Sequence, residues 1–296
     1  MVKRTLHFSN PAHLSMRNQQ LVVELRDVER TTKTLPIEDL GVVVLEHPQI
    51  TLSSSLLEEL MNAQVAVVTC NSKYMPSGLF LPLEGNSVQT ERMRTQLDAS
   101  VPLKKQLWQQ TVKSKIENQS RVLEKLGVPS ERMRKLQQNV LSGDTGNIEA
   151  QAASHYWGKI YGNDFVRSRD PETPNAQLNY GYAILRSVVA RALTASGMFP
   201  SIGIHHKNRY NAFCLADDIM EPYRPYVDWS VLHLPGIHET TEGLTKEQKI
   251  ELLKLPQLDV QIGEVQRPLF HAVSITTASL YKCFEGSSRK IAYPEL

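Results

Sequence analysis

Cysteine is scarce in this chain of 296 residues, which contains only three. Cys70, Cys214 and Cys283 lie far apart and form no Cys-x-x-Cys pair. This spacing argues against a zinc ribbon and against a disulfide framework. Cys214 lies in a segment rich in polar residues, but no separate base accompanies it in the sequence. We therefore do not expect it to be a nucleophile.

Long apolar runs are also missing. No run approaches the ~18–20 residues of a membrane span, and the early charges Lys3 and Arg4 are not followed by the apolar core of a signal peptide. We therefore expect a cytoplasmic protein. With 41% hydrophobic and 22% charged residues, the composition is that of an ordinary globular protein.

A large excess of one charge is absent too, because the formal net charge is +2. The distribution is uneven, however. Residues 91–137 contain eleven Lys or Arg against five Asp or Glu, whereas residues 217–264 contain four against ten. A basic helical segment and an acidic segment in one chain suit an enzyme that binds a polyanion and cleaves or joins it with a metal. Solvated helix faces are the alternative explanation for most of the individual charges.

The patterning predicts an α+β fold with two domains. The pattern of residues 1–85 predicts a small, mainly β domain. Its predicted elements are one helix at 51–64 and strands at 5–8, 14–17, 21–25, 41–45 and 65–70. A stretch rich in proline and glycine at 74–86 predicts a connector. Residues 86–296 predict a larger, all-α domain with helices that include 101–126, 147–161, 175–196 and 269–284.

Polar residues of opposite charge are concentrated at 205–225, which holds two histidines, three carboxylates and three cationic side chains. A helix is predicted from 213 to 221, ended by Pro222. Asp218 and Glu221 are three residues apart and share one face of it. Such a pair often marks a solvated face, but the two histidines just upstream favour a divalent cation between the carboxylates.

Glu149 lies on a different predicted helix, among alanines and beside Tyr156. A carboxylate on such a stripe is costly to bury without a partner. A glutamate at the start of a helix can also simply favour the helix dipole. Coupled to the later histidines and carboxylates, Glu149 can instead supply a third ligand from a second helix.

Four motifs together resemble the CRISPR-associated integrase family, the nuclease subunit of spacer acquisition. They are Glu149 in its alanine-rich helix, Leu178-Asn179-Tyr180-Gly181-Tyr182-Ala183-Ile184-Leu185-Arg186, Gly203-Ile204-His205-His206, and Leu215-Ala216-Asp217-Asp218-Ile219-Met220-Glu221-Pro222-Tyr223-Arg224-Pro225. The resemblance covers nearly the whole chain, including the β-rich start and the helical remainder. The resemblance is strongest to the branch of this family that accompanies dual-RNA-guided effector nucleases.

The resemblance implies that Glu149, His206 and Glu221 bind a divalent metal, with Asp218 an additional acidic residue beside it. The family's usual spacing, fifteen residues before Glu221, favours His206, and His205 stays the alternative. Two carboxylates and one imidazole suit Mg²⁺ or Mn²⁺.

The resemblance also implies an activity and partners. The activity is that of a metal-dependent DNA endonuclease and integrase, in which the 3′ ends of a short duplex protospacer attack the boundaries of a CRISPR repeat by transesterification. The partners are double-stranded DNA, a second copy of the chain that pairs through the 1–85 domain, and a second CRISPR adaptation protein. Two alternatives stay open: a metal-dependent nuclease on branched DNA repair intermediates, and a catalytically inactive DNA-binding scaffold.

Several cations near these motifs are candidate contacts to DNA phosphates from their placement alone. They are Arg167, Arg169, Lys207, Arg209 and Arg224. Arg224 can equally pair with Asp217 inside the fold. We assign Tyr180 and Tyr182 to the core and His155, six residues from Glu149 on another helical face, to a structural role.

Overall fold

A computed structural model describes residues 3–26, 31–168, 172–237 and 243–296 of the chain. The chain divides into two compact units, Met1–Ser87 and Val88–Leu296. No helix within these described ranges is both long and apolar enough to cross a membrane.

The described part of the first unit contains two four-stranded sheets and one α-helix. Its elements are β1 Arg4–Phe8, β2 Ala12–Arg17, β3 Gln20–Leu25, β4 Thr32–Pro36, β5 Leu40–Leu45, β6 Ile50–Leu52, α1 Ser54–Asn62, β7 Ala66–Cys70 and β8 Pro76–Phe80. The strand orders are β1-β5-β7-β8 in one sheet and β4-β3-β2-β6 in the other. The β-rich character predicted for this part of the chain is confirmed.

The core of this unit contains residues of both sheets and of α1, among them Leu14, Val43 and Leu56. All six residues of β5 are buried, because it pairs in parallel with β1 on one side and β7 on the other. The predicted hairpin of β2 and β3 is confirmed, and its turn places Asn18 and Gln19 at φ 51° and 58°. Positive φ at both central residues matches the twist of the two strands.

The second unit is mainly helical. Its elements are α2 Gln89–Asp98, α3 Val101–Lys125, α4 Glu131–Gln138, α5 Ile148–Tyr161, α6 Asn175–Ala195, α7 Cys214–Met220, α8 Arg224–Leu232, α9 Lys246–Leu252, β9 Asp259–Ile262, β10 Val265–Pro268 and α10 Leu269–Glu285. Helix α6 is buried along most of its length and packs against α7, α8 and α10, as its alanine-rich and branched aliphatic sequence predicted.

The prediction that the second unit is all-α is wrong, because β9 and β10 form an antiparallel hairpin. Gly263 turns the chain between them at φ 59°, a conformation that favours glycine. The predicted connector at 74–86 likewise contains β8, which pairs with β7. The helix predicted from 51 begins at Ser54, because Ile50–Leu52 pairs with β2 as a short parallel strand.

The predicted helix at 213–221 is shorter than expected, but the chain does not leave the helical path at Pro222. Helix α7 ends at Met220, and a single 3-10 turn, Glu221–Tyr223, leads directly into α8. Proline is tolerated in the first turn of a helix, where its missing N–H would have no partner in any case. The turn places Glu221 at the junction of two short helices.

Candidate active site

An ion-pair cluster of two buried and two half-buried side chains lies where α3, α5 and the turn after α7 approach one another. Lys115 is in the middle of α3, Glu149 is in the first turn of α5, and Glu221 follows α7 directly. The Lys115 Nζ lies 2.7 Å from Oε1 of Glu149 and 2.6 Å from Oε2 of Glu221. The Arg224 guanidinium lies 3.0 Å from the other oxygen of Glu221, Oε1. Two carboxylates and two cations therefore balance in charge.

The members of this cluster stabilise one another's charged forms. Burial lowers the pKa of Lys115, but the charges of Glu221 and Glu149 outweigh it and the pKa is raised overall. Burial raises the pKa of Glu221, but Arg224 and Lys115 outweigh it and the pKa is lowered overall. Both groups are therefore charged near neutral pH, which is possible in a buried site only because they are paired.

The position of Glu149 is fixed by a cap at the start of α5. Asp144 Oδ1 accepts a hydrogen bond from the backbone N–H of Ile148 at 2.9 Å, and its Oδ2 accepts one from the N–H of Glu149 at 3.0 Å. These N–H groups have no partner within the helix, so the carboxylate satisfies them and anchors the first turn. Glu149 therefore projects from a fixed backbone.

Asp218 is completely buried and holds the loop that carries His206. Its Oδ2 accepts hydrogen bonds from the N–H groups of Ile204 at 2.7 Å and His205 at 3.0 Å. Its Oδ1 accepts from the N–H of His206 at 3.1 Å and lies 2.5 Å from the Nδ1 of the same residue. The side-chain hydrogen bond to Asp218 raises the pKa of His206, and the charges of Glu221 and Glu149 act in the same direction.

Both oxygens of Asp218 are thus occupied by the loop, so its geometry is that of a positioning residue rather than a metal ligand. The arrangement leaves Nε2 as the His206 nitrogen that could bind a metal, since Nδ1 is engaged. Gly203 makes the close approach possible. An added Cβ there would lie 2.5 Å from the carbonyl oxygen of His206 and 2.7 Å from Oδ2 of Asp218.

The two neighbouring histidines have different surroundings. The ring of His205 is stacked on Trp108, with ring centroids 4.1 Å apart and planes 5° from parallel. His206 meets Trp108 edge-on at 5.7 Å, and its ring, unlike that of His205, is bonded to Asp218. The geometry therefore favours His206 over His205 as a ligand, although its role stays a prediction.

Comparison with known proteins places this chain in a family. A family model for CRISPR associated protein Cas1 matches residues 6–253. The chain belongs to the Cas1 family. The family predicted from the sequence is therefore confirmed.

A close relative covers the Cas1 chain from end to end. CRISPR-associated endonuclease Cas1 from Neisseria meningitidis serogroup C (strain 8013) is 38% identical over 299 residues, which cover 100% of this chain and 97% of that protein.

Two solved structures share the Cas1 fold. A casposase bound to integration product has a TM-score of 0.78 at 17% identity, covering 98% of this chain and 92% of that chain. A Cas6-RT-Cas1–Cas2 complex has a TM-score of 0.75 at 19% identity, covering 99% of this chain and 36% of that chain.

The ion-pair cluster contains carboxylate oxygens, which are donors that suit a divalent cation. Glu221 Oε2 is buried and, despite its 2.6 Å contact with Lys115 Nζ, receives no hydrogen bond of acceptable direction. We regard the contact as ionic, because distance rather than direction governs the attraction of two charges. Within the described part of the chain, no three His, Cys, Asp or Glu side chains are arranged to hold a metal directly. Lys115 stands between two of the expected ligands.

Arg224 and Asp217 do not form the ion pair that the sequence left open. Arg224 contacts Glu221 and lies 4.9 Å from the ring centre of Tyr182, whereas Asp217 contacts the Nε of Arg186 at 2.6 Å. Arg224 therefore forms an ion pair inside the fold, which was one of the two alternatives predicted for it. The predicted partner, Asp217, is wrong, because the partner is Glu221. The assignment of Tyr182 to the core agrees with its burial.

The other candidate phosphate contacts differ in how free they are. The Arg167 guanidinium donates hydrogen bonds to Asn175 Oδ1 at 2.9 Å and to Asn179 Oδ1 at 2.7 Å. These bonds hold it against the first turns of α6. Lys207 and Arg209 are exposed on the loop after His206. Arg169 lies outside the described residues.

Sequence reasoning missed two buried charges near the site. Lys115 lies on the buried face of α3, together with Trp108 and Val112, and a lysine among such residues is a signal that a carboxylate partner is near. Asp228 on α8 is buried and accepts hydrogen bonds from the hydroxyl groups of Tyr156, at 3.0 Å, and of Tyr182. Burial raises its pKa to about 6 against the effect of these bonds.

Proposed function

We propose that the chain is a metal-dependent DNA endonuclease and integrase that inserts short duplex protospacers into a CRISPR repeat array. The observation that carries the proposal is the convergence of Glu149 and Glu221, from separate helices, on one cationic position beside His206. A buried carboxylate and a half-buried one this close together are stable in their charged forms only with a cation between them. Membership of the Cas1 family and the full-length likeness to a Cas1 endonuclease support the proposal.

The residues have distinct roles in this proposal. Glu149, Glu221 and the Nε2 of His206 hold Mg²⁺ or Mn²⁺, and Asp218 positions His206 through Nδ1. When bound, the metal supplies a Lewis acid that polarises the scissile phosphodiester and favours ionisation of the attacking hydroxyl. Arg224 stabilises the buried charge of Glu221. Lys207 and Arg209 hold DNA phosphates from the exposed loop next to His206.

The reaction conserves the number of phosphodiester bonds. The 3′ oxygen of the incoming strand forms a new bond to a phosphorus at the repeat boundary while the bond from that phosphorus to the 3′ oxygen of the cut strand breaks. The proton of the attacking hydroxyl is lost and the departing oxygen gains one. With water as the attacking group, the same site cleaves DNA.

The partners in the proposal are DNA, a second copy of this chain and a second adaptation protein, in the cytoplasm. A structural neighbour bound to an integration product supports DNA as substrate, and a neighbour in a Cas1–Cas2 complex supports the adaptation partner. Insertion requires two strand transfers, and the described residues of each chain form one such cluster, so two copies suit the reaction. We assign the β-rich first unit to their pairing.

The test is strand transfer of a labelled duplex into a supercoiled plasmid bearing a repeat, with the second adaptation protein and Mg²⁺ or Mn²⁺. We expect joining by the wild type and its loss in Glu221→Gln and His206→Ala. The matched control is Glu251→Gln, which alters an exposed glutamate paired with Lys254.

Other outcomes would change the assignment. Cleavage of branched DNA that lacks a repeat, without joining, would favour a repair nuclease. No joining, with DNA binding unchanged by either substitution, would favour a scaffold.

A further inference from the structure

The Lys115 ammonium occupies the space between the two glutamates on which the proposed metal site depends. Its side chain is 11% exposed, and its Nζ contacts Glu149 and Glu221 at 2.7 and 2.6 Å. Removing a lysine from water is costly, so this position is stable only because two carboxylates face it. The lysine and the two glutamates therefore stabilise one another in the protein without metal.

A divalent cation bound by the same two carboxylates would lie close to this ammonium. Two cations confined to one buried gap repel, and the protein interior screens that repulsion weakly. The flexible four-carbon stem of a lysine allows its charge to move aside, whereas the planar guanidinium of Arg224 is already fixed against Glu221 and Tyr182.

We propose that Lys115 is the internal cation of the metal-free site, and that a divalent metal binds by displacing its ammonium from between Glu149 and Glu221. The inference rests on the proposed function, because it takes the two glutamates as metal ligands. Lys115 then has two effects. It keeps the glutamates in place before metal arrives, and it raises the metal concentration at which the site fills.

The first experiment measures Mn²⁺ binding to the full-length protein without DNA, by calorimetric titration and by electron paramagnetic resonance of free Mn²⁺. Lys115→Met keeps most of the stem and removes the charge. We expect it to bind Mn²⁺ about tenfold or more tightly than the wild type, because no cation has to be displaced. Lys113→Met, two residues away and on another side of the same helix, is the control and should leave the affinity unchanged.

Thermal unfolding gives a readout that does not depend on activity. Without metal, Lys115→Met leaves the buried Glu221 and the half-buried Glu149 with one cation fewer, so its Tm should fall below that of the wild type. Excess Mn²⁺ should restore most of this loss, and the Mn²⁺-induced rise in Tm should be larger than in the wild type.

Amine labelling of the wild type tests the displacement itself and needs no variant to fold. Acetylation of Lys115, followed by mass spectrometry of its peptide, should increase on addition of Mg²⁺, with Lys113 as the internal reference. Unchanged or reduced labelling of Lys115 would overturn the proposal. So would Mn²⁺ affinity in Lys115→Met that is equal to or below the wild-type value. A wild type that binds no Mn²⁺ at all would instead contradict the proposed metal-dependent function, and with it this inference.

Discussion

Asp218 illustrates how one buried carboxylate organises a loop. It receives three backbone N–H groups and contacts the ring of His206, so its charge is met by four polar partners. The sequence places Asp218 and Glu221 three residues apart on a helix, which suggested that they share one face with a cation between them. The structure separates them: Glu221 faces Lys115 and Arg224, and Asp218 faces the loop.

Asp228 is a residue whose charge state should influence stability. Its carboxylate is 2% exposed, and burial raises its pKa from 3.8 to about 6. Below pH ~4 the group is protonated in both the folded and the unfolded protein, so its burial is least costly there. Between these pH values the folded protein binds the proton more tightly than the unfolded protein does, and this binding stabilises the fold. As pH rises through about 6, the folded protein loses the proton and must bury a charge, so the stabilisation is lost.

We therefore expect Asp228→Asn to gain stability relative to the wild type as pH rises from about 4 to about 7. The gain is up to roughly 3 kcal/mol, which corresponds to the difference between the two pKa values. Urea unfolding at several pH values measures it. The exposed Asp98→Asn is the control, and a difference between Asp228→Asn and the wild type that stays constant with pH would contradict the expectation.

At the scale of elements, the first turn of α5 connects local capping to the site. Asp144 caps the helix that carries Glu149 through two backbone N–H groups. We expect Asp144→Ala to lower the free energy of unfolding by about 1–2 kcal/mol and to weaken Mn²⁺ binding, because Glu149 loses its fixed position. Chemical denaturation and Mn²⁺ titration measure the two effects.

Thr245→Ala is the matched control for that change. Thr245 caps α9 in a reciprocal arrangement with Gln248, and nothing places α9 in the metal site. Loss of the Thr245 cap should lower the free energy of unfolding by a similar amount and leave the Mn²⁺ affinity unchanged. Equal effects of both substitutions on metal binding would show that Glu149 does not depend on its cap.

The elements that the sequence predicted best are the long helices and the apolar strands of the first unit. Helices α3, α5, α6 and α10 have strong periodicity and were predicted to within a few residues. The missed strands β4, β6, β8, β9 and β10 are short and have two to five residues exposed or half-exposed, so their apolar pattern is weak and their order depends on pairing. Pairing depends on a distant partner, which local pattern does not show.

Site prediction had a similar limit. Glu149, Asp218 and Glu221 stood out as carboxylates on apolar helices, and the resemblance to the family added His206 by its spacing from Glu221. Lys115 did not stand out, since it is one of eleven basic residues in a segment that was assigned to polyanion binding or to solvated helix faces. Its partners are 34 and 106 residues away in sequence, so only the folded chain shows that it faces them.

At the scale of the whole molecule, exposed and internally bonded cations should contribute differently to DNA binding. Lys207 and Arg209 are exposed, whereas Arg167 is bonded to two asparagines. We expect the double variant Lys207→Ala/Arg209→Ala to reduce the slope of log affinity against log salt by about 1.8, the value for two lost phosphate contacts. Fluorescence anisotropy of a labelled duplex at several salt concentrations measures it.

Lys254→Ala serves as the control for this titration, because its ammonium is paired with Glu251 on the surface. Arg167→Ala should lower the free energy of unfolding and leave the salt slope of DNA binding nearly unchanged. An unchanged slope in the double variant would remove Lys207 and Arg209 from the DNA contacts.

The sequence distance between the members of the ion-pair cluster has a consequence for synthesis on the ribosome. Lys115 and Glu149 leave the ribosome well before Glu221, which completes the cluster. At a translation rate of about 5–20 residues per second, the delay between the two glutamates is roughly 4–14 s. A nascent chain can pair Lys115 with Glu149 during that interval, but it lacks the second carboxylate. The complete ion-pair cluster can therefore form only after Glu221 has been synthesised.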